Sequence, residues 1–319
     1  MTETTGGLRV GVFGTGALGQ HHARVYAHLD GVRLVGVFDA DPETARRVAD
    51  AHGTRAFPSA EALAVKIEAA SVAVPTDRHF EVAGALLDKG VHLLVEKPLA
   101  ATTEEAETLV RQAEAGGCIL QVGHIERFNP VLDLLEAQSG PPRFIEAHRL
   151  APFPPARPGL APRGTEVSVI LDLMIHDIEV VLHLVRSPVS AVHAVGVPVL
   201  SPTEDIANVR LEFENRAVAN LTASRISPEP MRKIRVFYDD AYLSLDYRAQ
   251  AGEMHRRAPT GIVREPVPIE KEEPLLRELR SFAECVRRRD EPVVSGRQAE
   301  QALRLAVDII GRVKARREG

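Results

Sequence analysis

No apolar run in this chain approaches the roughly 20 residues that a membrane span needs, so no membrane partner is expected. Cysteine is scarce: Cys118 and Cys285 stand at no metal-binding or redox spacing, and both sit among apolar neighbours. Buried thiols in a reducing, cytoplasmic setting are the expectation, with no metal site. Basic charge is not in excess either. The 39 lysines and arginines are outnumbered by 44 acidic residues, and a net charge of −5 disfavours nucleic acid as the main partner. No helix-turn-helix or basic reading segment stands out. The polar start, Met1 to Gly7, carries no apolar signal core and reads as a frayed tail. Internal repeats and low-complexity segments are also missing.

What is present is ordinary globular composition, 45% hydrophobic and 26% charged, in 319 residues. That length suggests about two domains. The chain is organised around Leu8 to Gly19, where the apolar run Val10–Phe13 enters a glycine-rich turn that opens a helical stretch, Ala17–Leu29. This is the strand–turn–helix setting of G-x-G-x-x-G, which cradles a dinucleotide pyrophosphate. Gly14 permits the tight turn, Gly16 a close backbone approach, and Gly19 the packing of helix on strand. Ala17 and Leu18 complete the turn and offer backbone N–H groups at the positive end of the helix. The next apolar run, Val32–Phe38, ends in Asp39, twenty residues after Gly19. A carboxylate there accepts hydrogen bonds from ribose hydroxyls and repels a 2′-phosphate, which points to NAD rather than NADP. Asp39 also reads more simply, as the end of a strand or as part of the cap of the helix begun by Asp41 and Pro42.

From Leu8 to about His124 strand runs alternate with helical patterns, continuing through Ala70–Val74, His92–Val95 and Ile119–Val122. Continuously apolar strands with short connections predict a doubly wound parallel sheet. Helix starts are signalled at Asp41-Pro42-Glu43 and by the capping box Thr102–Glu105. Ligands in such sheets bind at the carboxyl ends of the strands. Three polar clusters follow those ends: Pro75, Thr76 and His79; Glu96, Lys97 and Pro98; and His124 to Pro130 with Arg127. Pro75, Thr76, His79, Glu96, Lys97 and Arg127 are therefore candidate cofactor contacts, although any one cluster alone reads equally as a solvated loop.

Past Pro130 the pattern changes to a proline-rich stretch, Ser139–Pro162, holding one strand-like run, Arg143–Leu150. A long helix is predicted over Val167–Val185. Alternating strands follow at Ala191–Val199, Val209–Phe213, Val218–Arg225, Ile234–Tyr238, Tyr242–Tyr247 and Gly261–Pro268, then helices at Glu273–Arg289 and Arg297–Arg317. Short turns between the strands indicate an antiparallel sheet. The expected fold is α/β: a dinucleotide-binding domain over residues 1–125, then an α+β domain over 126–319 with a large open sheet for substrate binding and oligomerisation. An open sheet has two faces to cover, so a homo-oligomer is expected, a second subunit taking one face.

Two groups carry chemistry. Lys97 follows a strand that should end beside the nicotinamide, where an ammonium can donate to a substrate oxygen and share a proton. Alone, it reads as well as a surface lysine paired with Glu96. Asp172 and His176 stand four apart on one helix face, among Leu171, Leu173, Met174, Ile175 and Ile178. A buried Asp–His pair fits general base catalysis, His176 taking an alcohol proton and Asp172 orienting it; a structural hydrogen-bonded pair is the alternative. Arg149, Arg157 and Arg163 are candidate forks for a substrate diphosphate, and for Arg157 and Arg163 a solvated surface role serves as well.

Together the fingerprint, Glu96-Lys97-Pro98, the Asp172–His176 pair and the late antiparallel sheet resemble the Gfo/Idh/MocA oxidoreductases over essentially the whole chain. The resemblance implies a catalytic Lys97, an acid/base His176, a helix Asp172 and a dimer or tetramer. Gly123 to Pro130 and Asp172 to Glu179 resemble the branch acting on nucleotide sugars. That implies NAD-dependent oxidation at C3 of UDP-N-acetylglucosamine, giving a 3-keto sugar for a downstream aminotransferase in an amino-sugar, lipid A type pathway. A free polyol or sugar such as inositol or glucose, or a sensor that binds NAD without turnover, are the rival readings.

Overall fold

The structure, a computed structural model, describes residues 7–155, 162, 164–259 and 261–318. Residues 1–6 of the polar start, with Arg157 and Arg163, lie outside the described residues. Two compact units divide the chain: Met1–Phe128 with Glu273–Gln301, and Asn129–Glu272 with Ala302–Gly319.

The first unit begins with β1 (Leu8–Phe13), α1 (Gly19–Tyr26), β2 (Val32–Phe38), α2 (Pro42–Ala51) and α3 (Ala60–Ala64). It continues with β3 (Ala69–Val72), α4 (His79–Leu87), β4 (His92–Glu96), α5 (Thr103–Gly116) and β5 (Leu120–Gly123). All strand pairs are parallel, in the order β2-β1-β3-β4-β5. The sheet is covered on both faces, which is why β3, β4 and β5 are buried along their whole length. Helix starts follow local chemistry. Asp41 accepts from the Glu43 N–H before Pro42 at the first turn, and Thr102 and Glu105 form a reciprocal capping box.

In the second unit, α6 (Pro130–Glu136) and β6 (Phe144–Leu150) precede a π-helical turn, Ile170–Met174, and α7 (Ile175–Val185). Then come β7 (Val189–Val197), β8 (Ile206–Phe213), β9 (Val218–Ser224), β10 (Met231–Phe237), β11 (Ala241–Asp246), β12 (Ala251–Ala258) and β13 (Gly261–Pro266). They form one sheet, ordered β13-β12-β11-β10-β6-β9-β8-β7, antiparallel except for the β6–β9 pair. The alternation Val209, Leu211, Phe213 runs along the buried face, with Arg210 on the other. The chain closes with α8 (Pro274–Arg288) and α9 (Gly296–Glu318).

Three features depart from the sequence reading. The helix expected from Val167 starts later. The Val167 carbonyl accepts from Arg225 and Thr203 instead of a helical N–H, and Ser168 Oγ caps the Ile170 N–H. Strand β12 has Met254 as its one large apolar residue and is set by pairing with β11 and β13, not by alternation. Finally, α8 packs in the first unit: Leu279, Phe282, Ala283 and Val286 form one core with Leu8, Val10, Val25, Tyr26 and Leu29. Residues 273–301 thus group with the parallel sheet, and α9 begins in one unit and ends in the other. No helix among the described residues is long and apolar enough to cross a membrane.

Candidate functional site

The glycine-rich turn has the geometry that a dinucleotide needs. Gly14 has φ 82°, and a Cβ there would come within 2.7 Å of the Ala73 carbonyl. A Cβ at Gly19 would overlap the Gly14 carbonyl oxygen, whereas one at Gly16 would meet no protein atom within 4 Å. The turn is thus closed on its protein side and open on the other, with Gly16, Ala17 and Leu18 exposed. Helix α1 starts at Leu18 without a side-chain cap, leaving its end suited to an anion.

Asp39, at the carboxyl end of β2, ties this turn down. One carboxylate oxygen accepts from the Thr15 N–H at 2.6 Å and from Thr15 Oγ at 3.0 Å; the other accepts from the Asp41 N–H at 2.9 Å. The carboxylate is half-buried and has acceptor capacity left. Spacing alone does not mark Thr15; its place inside the glycine motif is the signal for it.

At the ends of β3, β4 and β5 the polar clusters gather along one edge, as strand adjacency requires. Lys97 is half-buried. Its backbone N–H donates to Glu96 Oε2 at 3.2 Å, and Glu96 Oε1 lies 3.0 Å from His22 Nε2. Pro75 is exposed and Thr76 half-buried, in the short turn Thr76–Arg78. His79 differs from a cofactor contact on the rim. It is 1% exposed, with Nδ1 at 2.8 Å from the Pro98 carbonyl and Nε2 at 3.0 Å from that of Val74, so it joins the loops after β3 and β4. Arg127 is likewise buried, in the turn Ile125–Phe128. His124, in the sequence one member of the polar cluster after β5, is buried as well. Burial, reinforced by the charge of Lys97, pushes it down to about 3, so it is neutral at ordinary pH.

Asp172 and His176, both half-buried, belong to the second unit. Asp172 sits in the π-helical turn and His176 in the first turn of α7. Such turns widen a helix locally and often occur where a side chain has chemistry to do. A Cβ at Gly164, which has φ 83°, would lie 2.7 Å from Asp172 Oδ2, so that glycine leaves the carboxylate its room.

Arg149 departs from the expected phosphate fork. Both prongs go to Asp177, Nε to Oδ2 at 2.8 Å and a terminal nitrogen to Oδ1 at 2.9 Å, with each side chain 4% exposed. Its guanidinium also lies over Tyr247, 5.9 Å from the ring centre. Arg149 thereby ties β6 to α7. A second buried pair, Arg225 with Asp205, fixes the approach to the π-turn. Asp205 accepts from the backbone N–H groups of Val199, Leu200 and Ser201, and Arg225 donates to the carbonyls of Gly164, Val167 and Glu204. Neither partner is marked by sequence spacing, because the pairing spans 20 residues.

Residues 8–124 match the model of an oxidoreductase family with an NAD-binding Rossmann fold, and residues 134–244 match the GFO/IDH/MocA C-terminal domain. The chain is 40% identical over 286 residues, 88% of each chain, to UDP-N-acetylglucosamine 3-dehydrogenase of Acidithiobacillus ferrooxidans. Against a solved structure of that enzyme the TM-score is 0.90 at 37% identity, covering 97% of this chain and 98% of that one. It is also 33% identical to inositol 2-dehydrogenase 1 of Saccharopolyspora erythraea, over 65% of this chain and 66% of that one.

Proposed function

This chain belongs to the Gfo/Idh/MocA family of NAD-binding oxidoreductases, and on that footing we propose that it oxidises the C3 hydroxyl of UDP-N-acetylglucosamine to the 3-keto sugar. The observation that carries this reading is the 40% identity, over 88% of both chains, to an enzyme named for that reaction.

The roles follow from the residues. Gly14, Gly16, Ala17, Leu18 and Gly19 would hold the cofactor pyrophosphate through backbone N–H groups, and Asp39 would accept from the ribose. Pro75, Thr76, Glu96 and Lys97 border the same edge. The bound NAD would supply the hydride acceptor for the carbon being oxidised. His176 takes the hydroxyl proton while Asp172 orients its ring, and Lys97 donates to the substrate oxygen. His79 and Arg127 act from within, shaping the loops that carry these groups.

The test is turnover with NAD against a panel of UDP-sugars and free polyols, followed by absorbance of the reduced cofactor. An aminotransferase or trapping amine should be present to draw off the keto product. Turnover with UDP-N-acetylglucosamine and none with inositol or glucose is the expected result. The reverse would favour a free-polyol dehydrogenase, a reading supported by the inositol-dehydrogenase relative and by the inward-facing Arg149. The oxidising unit is a homodimer or homotetramer formed through the sheet face that carries Phe144, Phe237, Tyr242 and His255. These rings run side by side with centroid spacings of 5.7, 4.4 and 5.1 Å. Light scattering that returned one chain mass at micromolar concentration would remove that assembly.

A further inference from the structure

Beneath the Lys97 edge lies a buried polar chain that the reaction as described does not use. His22 and Tyr26, four apart on α1, face the sheet. Tyr26 OH lies 3.0 Å from Ser71 Oγ, Ser71 Oγ 2.9 Å from His22 Nδ1, and His22 Nε2 3.0 Å from Glu96 Oε1. Tyr26, Ser71 and His22 are at most 1% exposed and Glu96 is 8% exposed.

The hydrogens in this chain have one consistent direction. Burial raises the Tyr26 hydroxyl far above its ordinary range, so it remains a donor. A carboxylate only accepts. Tyr26 therefore donates to Ser71, Ser71 to His22 Nδ1, and His22 Nε2–H to Glu96. The opposite tautomer would set a nitrogen lone pair against the carboxylate.

The groups facing Glu96 complete the cluster: His22 from α1, Lys97 beside it, His79 from α4, His124 after β5, and Glu278 from α8. Glu278 is fully buried, and neither carboxyl oxygen has a hydrogen-bond partner among the described residues. Burial, then the charge of Glu96, pushes its carboxyl well up, which favours the neutral form. Burial alone would also raise Glu96, but the His22 hydrogen bond and the Lys97 charge outweigh it and hold Glu96 below the usual carboxylate range. The cluster's negative charge thus resides on the carboxyl next to Lys97.

We propose that His22 is a positioning residue: it holds the Glu96 carboxylate in place beside Lys97 and so links the helix of the glycine-rich turn to the group that acts on substrate. This inference rests on the reading of Lys97 as that group. It differs from a purely structural role in what it does to Lys97. Without the His22 donor, Glu96 neutralises or turns away, and Lys97 loses a fixed neighbouring anion.

The experiment is competitive acetylation of the whole protein at about pH 8, with Lys97 followed by peptide mass spectrometry, alongside the pH profile of kcat/KM, in the parent, His22→Ala and His22→Gln proteins. In His22→Ala the acid limb of kcat/KM should move to higher pH by roughly one unit, because Glu96 without its donor takes up a proton more readily, and the Lys97 labelling rate should rise several-fold as its fixed neighbouring anion is lost. His22→Gln retains an amide donor for Glu96 and should restore both. If His22→Ala does not fold, Ser71→Ala, which removes the partner of Nδ1, should show smaller changes in the same directions. An unmoved acid limb and an unchanged Lys97 labelling rate in folded His22 and Ser71 variants would overturn the proposal. Full turnover by Lys97→Ala would instead overturn the functional reading while leaving the labelling result to stand.

Discussion

In the parallel-sheet unit, each polar candidate stands at the carboxyl end of a strand: Thr15 after β1, Asp39 after β2, Thr76 after β3, Lys97 after β4 and His124 after β5. Adjacency of the strands is enough to gather them. In the antiparallel-sheet unit, Asp172 and His176 lie on a π-turn and a helix, and their placement depends on two buried ion pairs, Arg149–Asp177 and Arg225–Asp205. The first arrangement is enforced by topology and tolerates local change. The second is enforced by a few desolvated charges and should be fragile wherever one of them is removed.

The sharpest way to break that contrast is Arg149→Met, which strands a buried Asp177. A loss of about 3–5 kcal/mol is expected by denaturant unfolding, with much of it recovered in the double variant Arg149→Met, Asp177→Leu. Asp39→Ala, exposed to solvent on one side, should cost far less. Equal losses in the two units would erase the distinction. Next in size, Lys97→Ala and His176→Ala should each lower turnover by roughly 100-fold or more, with NAD affinity retained as measured by calorimetry. Because Lys97 lies in one unit and His176 in the other, an effect from only one of them would place the chemistry in that unit alone.

The most gradual effect is in pH. His124 titrates near 3 in the folded chain and near its ordinary value when unfolded. As pH falls from about 6.5 towards 3, the unfolded chain takes up a proton that the folded chain refuses, so stability falls by up to about 1.4 kcal/mol per pH unit. His124→Gln should flatten that slope. A slope unaffected by the substitution would mean that another group governs acid sensitivity.

Most of the first unit was legible because its signals are local. The Gly14–Gly19 turn, the Asp41 cap and the Thr102 capping box each need only neighbouring residues, and all appear where spacing puts them. At the start of α9 the Gln298 N–H donates to Ser295 Oγ and the Ser295 N–H to Gln298 Oε1, a cap that again needs only neighbouring residues. What sequence hid depends on partners far along the chain. Arg149 looks like a phosphate ligand until Asp177 is found against it, and His79 like a rim contact until its two carbonyl neighbours are seen. His22 and Tyr26 could have been noticed as polar side chains on the sheet-facing side of α1, but their acceptors come from β3 and β4.

The return of α8 to the first unit has a consequence for synthesis. A nascent chain emerges with all five parallel strands complete by Gly123, yet the side chains that seal Val25, Tyr26 and Leu29 arrive only with residues 279–286. At about 5–20 residues per second, the ribosome leaves that patch bare for roughly ten seconds or more. A fragment cut at the apparent boundary near residue 128 would keep it bare for good. The compact unit built on the parallel sheet is therefore the stretch to Phe128 joined to residues 273–301, with the sheet of the other unit lying between them in the chain.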